Sequence, residues 1–383
     1  MTYEPITPTA IGCAVLVEVG VLYWVVCSEA LYLWAKVVPP SGLDGHPPVT
    51  FLRPLKRSSP QLAAGIESLI RASAPHDQLI FGVDPDSTAG AICAEARGRF
   101  SDREILVVEC APAAAANPKI SKLVQMLPYA RHEHLLVSDS EALCDAAFVS
   151  AFRDEWRTTG ADVLTAGYRF VGLATWPQQL DAAAALLTLW PGLAWLRGLG
   201  RVRLTLGACT ALRRHDLEAA GGWAAFGDDL AEDHQLGRRL AQCGREIRLS
   251  RHVMTLASDA LSWREYWRHQ QRVAVTYRVA NPAGFAASIL THALSWSVAF
   301  AVAVRASEMR FGFLLFTGAW LVRWWYLAGP AARLLAFPIP RLGRVVLVAS
   351  FVETACWVLS WFARGVWWGG RWRRVSWRGK LLD

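Results

Sequence analysis

Residues 9–34, from Thr9 through Trp34, form a nearly continuous apolar run. As a helix rising about 1.5 Å per residue, the run is long enough to cross a hydrocarbon core about 30 Å thick. The chain is therefore expected to fold against a bilayer as well as in water. Glu18 and Glu29 interrupt the run. Acids are costly in a lone span, so both are expected at partner helices or at an interface. A cleaved signal peptide is the competing reading. The length of the run, the missing basic n-region and the absence of a cleavage motif stand against it.

Composition agrees with the membrane reading. The chain is 53% hydrophobic and only 19% charged, more apolar than an ordinary soluble domain. Its 19 tryptophans crowd toward the C-terminal third, and tryptophan favours the membrane–water interface. The formal charge of +8 could serve nucleic acid, anionic lipid or phosphorylated ligands. No helix-turn-helix, zinc-finger or RNP-like signature is present, and arginines stand beside tryptophans and apolar runs. The charge is assigned to membrane surface or phosphate, with no nucleic-acid partner. The eight cysteines are scattered without a C-x-x-C pair, which argues against a zinc site or a disulfide framework.

After a Pro/Gly-rich linker over residues 38–48, strands and helices alternate. Strands are expected at Val49–Leu52, Leu79–Val83, Ile105–Glu109 and His134–Ser138. Helices are expected at Pro60–Ala74, Ala89–Phe100 and Lys119–Ala130. This alternation predicts an α/β fold with a parallel, doubly wound sheet, whose ligands bind outside the carboxyl ends of the strands. Residues 182–199 are apolar and broken by Pro191; they are read as an interfacial segment lying on the membrane, with a buried core helix as the alternative. Beyond Asn281 three further spans are expected, over 284–304, 311–328 and 345–363. The organisation is thus an anchor over 1–37, a catalytic domain over 38–280, and a membrane region over 281–383. Lys36, Arg53, Lys56 and Arg57 place the central domain on the cytoplasmic side. Three C-terminal spans put the basic tail on the other side, against the same rule, and a re-entrant segment would remove the conflict.

Four polar stretches carry candidate chemistry. In Phe81-Gly82-Val83-Asp84-Pro85-Asp86, an acid just past a strand can hydrogen-bond a nucleoside; a turn is the alternative. Leu135-Leu136-Val137-Ser138-Asp139-Ser140-Glu141 places two carboxylates at i and i+2. In extended backbone these share one side and can share a metal; an N-cap by Asp139 is the alternative. Asp228-Asp229-Leu230-Ala231-Glu232-Asp233-His234 opens a helical pattern, where an acid serves either as a general base or as a cap. Arg264 through Arg272 is basic and aromatic, suited to gripping a diphosphate or lipid headgroups.

Taken in order, these stretches resemble the ceramide glucosyltransferase family and its bacterial hopanoid-associated relatives. That family has three aspartates followed by (Q/R)-x-x-R-W. Asn117-Pro118-Lys119-Ile120, Leu206-Gly207-Ala208-Cys209 with Arg213, Gly221-Gly222, Ala231-Glu232-Asp233 and the Trp/Arg-rich 361–378 region carry further likeness. The resemblance implies a GT-A-type catalytic domain with a Rossmann-like, mostly parallel sheet between N-terminal and C-terminal transmembrane helices. It implies an inverting transferase that moves a hexose, glucose or N-acetylglucosamine, from a UDP-sugar to the hydroxyl of a membrane lipid such as ceramide or a hopanoid. Asp84, or Asp86 in its place, takes the nucleotide role. Asp139 takes the role near metal and diphosphate, Asp233 that of general base, and Arg272 that of the motif arginine. Lys119 and His269 group with the donor-binding residues. Asp139 and Glu141 are the candidate ligands of a divalent Mg or Mn ion. His269 stands where the family has Gln or Arg, and Val273 where it has Trp. The same pattern also describes a processive polysaccharide synthase or a catalytically impaired homologue. The expected location is a bacterial inner membrane, with the catalytic domain facing the cytoplasm.

Overall fold

The computed structural model describes residues 7–36, 45–57, 59, 61–111, 115–259, 261–304 and 308–382. Residues 38–44 of the expected linker, and Pro60 at the start of the first expected helix, lie outside the described residues. The chain divides into two compact units. One comprises Met1–Lys36, Leu173–Leu199 and Leu261–Ala363; the other comprises Val37–Gly172, Gly200–Ala260 and Arg364–Asp383.

The second unit is built on an eight-stranded sheet. In chain order the strands are β1 (Val49–Pro54), β2 (Gln78–Val83), β3 (Glu104–Glu109), β4 (His134–Val137), β5 (Ala142–Leu143), β6 (Val163–Val171), β7 (Cys209–Arg213) and β8 (Ile247–Ala257). Their order across the sheet is β3-β2-β1-β4-β7-β6-β8-β5. The β3-β2-β1-β4 half is parallel, as the alternation of elements predicts. β7 runs antiparallel to both β4 and β6, so the sheet is mixed. β1 and β2 are buried along their whole length. Strands covered on both faces read as continuous apolar runs, which is why these two are visible in sequence.

Side chains alternate between the faces with period two. Phe51, Leu79, Phe81 and Val83 pack with Ile66, Leu69 and Phe152 on one face. Leu52, Ile80, Leu135 and Val137 pack with Ile120, Leu123, Leu236 and Leu240 on the other. Arg53 is wholly buried at the carboxyl end of β1. It donates to Ser138 Oγ at 3.0 Å, Gly65 O at 2.7 Å and Ala142 O at 3.1 Å. One side chain therefore ties β1, the exit of β4 and the helix Leu62–Ala72 together. A short antiparallel hairpin, β9 (Gly365–Trp368) and β10 (Arg371–Arg374), completes this unit.

The first unit is helical. Its N-terminal helix, Pro8–Ala35, is capped by Thr7, whose side chain accepts from the Ala10 amide. Ala10, Cys13, Val17, Gly20, Trp24, Cys27, Leu31 and Trp34 are buried. Their spacing of three and four residues draws one stripe along the helix. A Cβ at Gly20 would lie 2.8 Å from Ala293 Cβ, so glycine allows the helix Ala293–Ala303 to approach closely. On the outer face Ile11, Val15, Leu22 and Leu33 are exposed. Glu29 meets a partner helix by accepting from the Tyr326 hydroxyl, whereas Glu18 lies exposed.

Among the described residues two helices, Pro8–Ala35 and Leu342–Ser360, are long and apolar enough to cross a membrane. The pair Pro282–Thr291 and Ala293–Ala303, bent by 55°, makes a third if it acts as one span. The expected 311–328 span is a helix, Met309–Leu321, that passes into π-helical Val322–Ala328. The 182–199 segment follows the buried-helix reading over most of its length. Leu186, Leu187 and Trp190 are buried, while Trp195 is exposed. All eight cysteines are free, and seven are buried.

Replacing Arg53 with Met would remove its hydrogen bonds to Ser138 Oγ and to the Gly65 and Ala142 carbonyls, at about 0.5–1.5 kcal/mol for each bond lost. Thermal melting in detergent is expected to show a midpoint lower by about 5–10 °C. An unchanged midpoint would contradict the pinning role.

Candidate active site

The helix Pro118–Met126 organises the carboxyl edge of the parallel strands. Asn117 caps it, its Oδ1 accepting from the amides of Lys119 at 2.9 Å and Ile120 at 3.2 Å. Pro118 sits where its missing N–H costs nothing. Lys119 and Lys122, three residues apart, project from one side of this helix. Lys122 Nζ reaches Asp84 Oδ2 at 2.9 Å and the Leu55 carbonyl at 2.5 Å. Lys119 Nζ reaches Asp139 Oδ1 at 3.0 Å, Asp233 Oδ1 at 3.2 Å and Glu232 Oε1 at 3.3 Å.

Acids from two distant stretches of sequence therefore meet around one ammonium. Asp139 arrives from the end of β4, and Glu232 and Asp233 from the first turn of the helix Glu232–Gln242. Neither aspartate acts as a cap. The N-cap of the Glu232–Gln242 helix is Ala231, without a side-chain cap bond, and Asp145 rather than Asp139 caps the helix Ala146–Thr159. The Asp233 carbonyl accepts from Thr205 Oγ1 at 2.8 Å, which anchors that turn.

Gly207 faces the cluster at contact range. A Cβ there would stand 2.6 Å from Asp233 Oδ2, 2.7 Å from Asp139 Oδ2 and 2.7 Å from Lys119 Nζ. The backbone at 207 thus forms a wall that only glycine leaves open.

Electrostatics follow from three carboxylates sharing one cation. Burial pushes the Asp233 carboxyl up, to about 7, with Glu232 and Asp139 raising it further and Lys119 opposing. Burial works against the Lys119 charge, but Asp139, Asp233 and Glu232 outweigh it and hold the ammonium well above the usual lysine range. Asp233 thus holds a proton more readily than an ordinary aspartate.

The remaining sequence candidates fall elsewhere. Asp86 is exposed in a left-handed turn at φ 50°, leaving Asp84 as the buried-lysine partner. In extended backbone Asp139 and Glu141 would share one side. The chain instead turns there, the Ala142 amide donating to the Asp139 carbonyl at 3.2 Å. Glu141 pairs with Lys56 and accepts from Ser140 Oγ at 2.7 Å. Among the described residues no group of three His, Cys, Asp or Glu side chains is arranged to hold a metal. His269 and Arg272 belong to the helical unit, on the helix Trp263–Ala280, which a Ser262/Glu265 capping box opens. Arg272 contacts His269 Nδ1 at 3.0 Å, and His269 Nε2 lies 3.4 Å from Asp181 Oδ1. Gln270 donates to the same Asp181 oxygen at 2.8 Å.

Sequence reasoning missed three residues. Lys122 was signalled only by its i, i+3 spacing from Lys119. Glu232 was visible in an acidic run but had no role. Gly207 had no local signal beyond its place in Leu206-Gly207-Ala208-Cys209.

The profile of glycosyl transferase family 21 matches residues 13–381, nearly the whole chain. The chain belongs to this glycosyltransferase family. Among solved structures, the mannosyltransferase PcManGT from Pyrobaculum calidifontis, in complex with GDP-Man and Mn2+, is similar at 17% identity. That match has a TM-score of 0.56 and covers 92% of this chain and 98% of the other. S. aureus TarS 1-349 in complex with UDP-GlcNAc matches at 15% identity and a TM-score of 0.39, over 88% and 99% of the two chains. M. tuberculosis glucosyl-3-phosphoglycerate synthase matches at 21% identity and a TM-score of 0.39, over 62% and 81%. The PcManGT likeness shows the fold: the sheet unit of this family 21 glycosyltransferase is GT-A.

Two predictions follow from the cluster. Gly207→Ala is expected to keep the thermal midpoint within a few degrees, since its clashes are with movable side-chain ends. Displacing those groups by about 1 Å is expected to cut transfer by at least about tenfold. Parental transfer in that variant would contradict the crowding. The second concerns pH. The Asp233 carboxyl, ordinarily near 3.8, is raised on folding, so its contribution to stability is lost as pH rises from about 4 through about 7. Melting of Asp233→Asn beside the parent should show the variant gaining relative stability across that window and levelling above it. A constant difference from pH 4 to 8 would contradict the raised pKa.

Proposed function

We propose that this family 21 glycosyltransferase moves a hexose, glucose or N-acetylglucosamine, from a UDP-sugar to the hydroxyl of a membrane lipid of the ceramide or hopanoid kind, with inversion. The observation that carries the proposal is the meeting of Asp139 and Asp233 at Lys119, at the carboxyl edge of a GT-A sheet. The same edge is where open α/β sheets bind nucleotides. PcManGT binds GDP-Man with Mn2+, which supports a nucleotide-sugar donor here.

Each side chain then has a task. Asp84, steadied by Lys122, faces the nucleoside. Asp233 accepts the proton of the acceptor hydroxyl, and a raised carboxyl near 7 suits a base that works near neutral pH. The acceptor oxygen bonds to the anomeric carbon as the bond from that carbon to the diphosphate oxygen breaks, and the electron pair leaves with UDP. Lys119 offers its ammonium to the phosphate oxygens of the leaving group. Hard carboxylate oxygens gathered where a cation is already held fit Mg or Mn, with Asp139 as the ligand this chain would contribute beside the donor phosphates. Bound there, the ion would offset diphosphate charge.

The apolar helices Pro8–Ala35 and Leu342–Ser360 support a lipid acceptor, because they would keep the enzyme at the surface where such a substrate resides. The reading includes a bacterial inner membrane, with the sheet unit on the cytoplasmic side.

Membranes containing the protein, incubated with radiolabelled UDP-sugars and a panel of lipids, test the reading through product identification. Asp233→Asn and Asp139→Ala are each expected to lose at least about 100-fold of labelled lipid at equal protein level. Transfer by the parent should rise with pH to a plateau above about 7, as Asp233 loses its proton. Retained activity in both variants would overturn the assignment.

A further inference from the structure

The last residues of the chain run beside the turn that carries the base. Ser376 to Lys380 form a tight loop: the Gly379 amide donates to the Ser376 carbonyl at 3.0 Å, and the Ser376 amide to the Lys380 carbonyl at 2.8 Å. Gly379 adopts φ 80°, a conformation that favours glycine. Beyond this loop the chain pairs with residues 228–230. The Leu381 amide donates to the Asp228 carbonyl at 2.7 Å, and the Leu230 amide donates to the Gly379 carbonyl at 2.9 Å. Lys380 Nζ reaches Asp229 Oδ2 at 2.9 Å. Leu381 and Leu230 are both buried.

Asn117, wholly buried, holds the same stretch. Its Nδ2 donates to the Asp229 carbonyl at 2.9 Å, and its backbone amide donates to the Gly227 carbonyl at 2.8 Å. Asn117 also caps the helix that bears Lys119. Residues 227–230 are thus tied both to that helix and to the chain's end, and Glu232 and Asp233 follow directly.

We infer that the C-terminal segment 376–382 is a latch that positions Asp233, with Lys380 and the Leu381 amide as positioning groups. The inference rests on the reading of Asp233 as the base. The segment itself touches no reacting atom; it fixes the backbone from which the base projects. A base displaced by even about 1 Å loses rate while donor affinity stays nearly constant.

The test uses the full-length protein in detergent or nanodiscs, with UDP-sugar and the accepted lipid. Leu381→Pro removes the amide that donates to Asp228. It is expected to lower kcat by about tenfold, with donor KM within about twofold. Lys380→Ala is expected to lower kcat by about threefold, and Lys380→Arg to restore it, because the exposed ammonium contributes less than the backbone pairing. Hydrogen exchange at the Leu230 amide should quicken in Leu381→Pro. Parental kcat in both Leu381→Pro and Lys380→Ala would overturn the latch, as would an equal rise in KM. Exchange at Leu230 is read without any substrate. If the parent transfers no sugar, the functional reading fails while protection of Leu230 still reports whether the latch forms; unchanged protection in Leu381→Pro would overturn the latch alone.

Discussion

A single ammonium surrounded by three carboxylates is the interaction on which the site depends. Lys119 would be costly to hold in a buried place without partners, and Asp139, Glu232 and Asp233 would repel one another without it. Each side makes the other tenable. The imbalance of three acids to one base remains, and Asp233 carries it as a raised affinity for a proton. A general base needs that property near neutral pH.

The scaffold exists to bring those groups to one edge. Parallel β1, β2 and β4 end on the same side of the sheet, so Asp84 and Asp139 leave their strands toward it. Arg53 pins the ends of β1 and β4, and Asn117 joins the lysine-bearing helix to the acidic loop. Gly207 supplies a wall without a side chain. In the helical unit the logic differs. A stripe of small and aromatic side chains packs the N-terminal helix, and a buried pair, Arg323 with Glu353 at 2.6 Å, is satisfied further by Ser350 and Thr188.

Much of this was legible in the sequence. β1, β2 and β4 announce themselves because buried parallel strands are largely apolar, β3 because its Ile105–Val108 run is apolar although only partly covered, and the first helix because twenty or so apolar residues have few alternatives. β6 and β8 were hidden. Tyr168 and Arg169 in one, and Arg248, Arg251 and His252 in the other, break the apolar pattern where the strands are only partly covered. Asp139 and Asp233 could be named because acids past a strand and at a helix start are recognisable locally. Glu141 pairs with Lys56 because the chain turns at 139–142, a matter of backbone geometry that spacing does not reveal. Lys122 and Gly207 acquire their roles only from contacts made across the fold.

The most direct test of the convergence is single-turnover transfer from UDP-sugar to lipid by Lys119→Met in nanodiscs. If the lysine both holds the acids and faces the donor phosphates, chemistry should slow by at least about 100-fold at saturating donor, with the sheet unit still folded. Turnover at the parental rate would show that the three carboxylates do not work through Lys119, and the site as described would not stand.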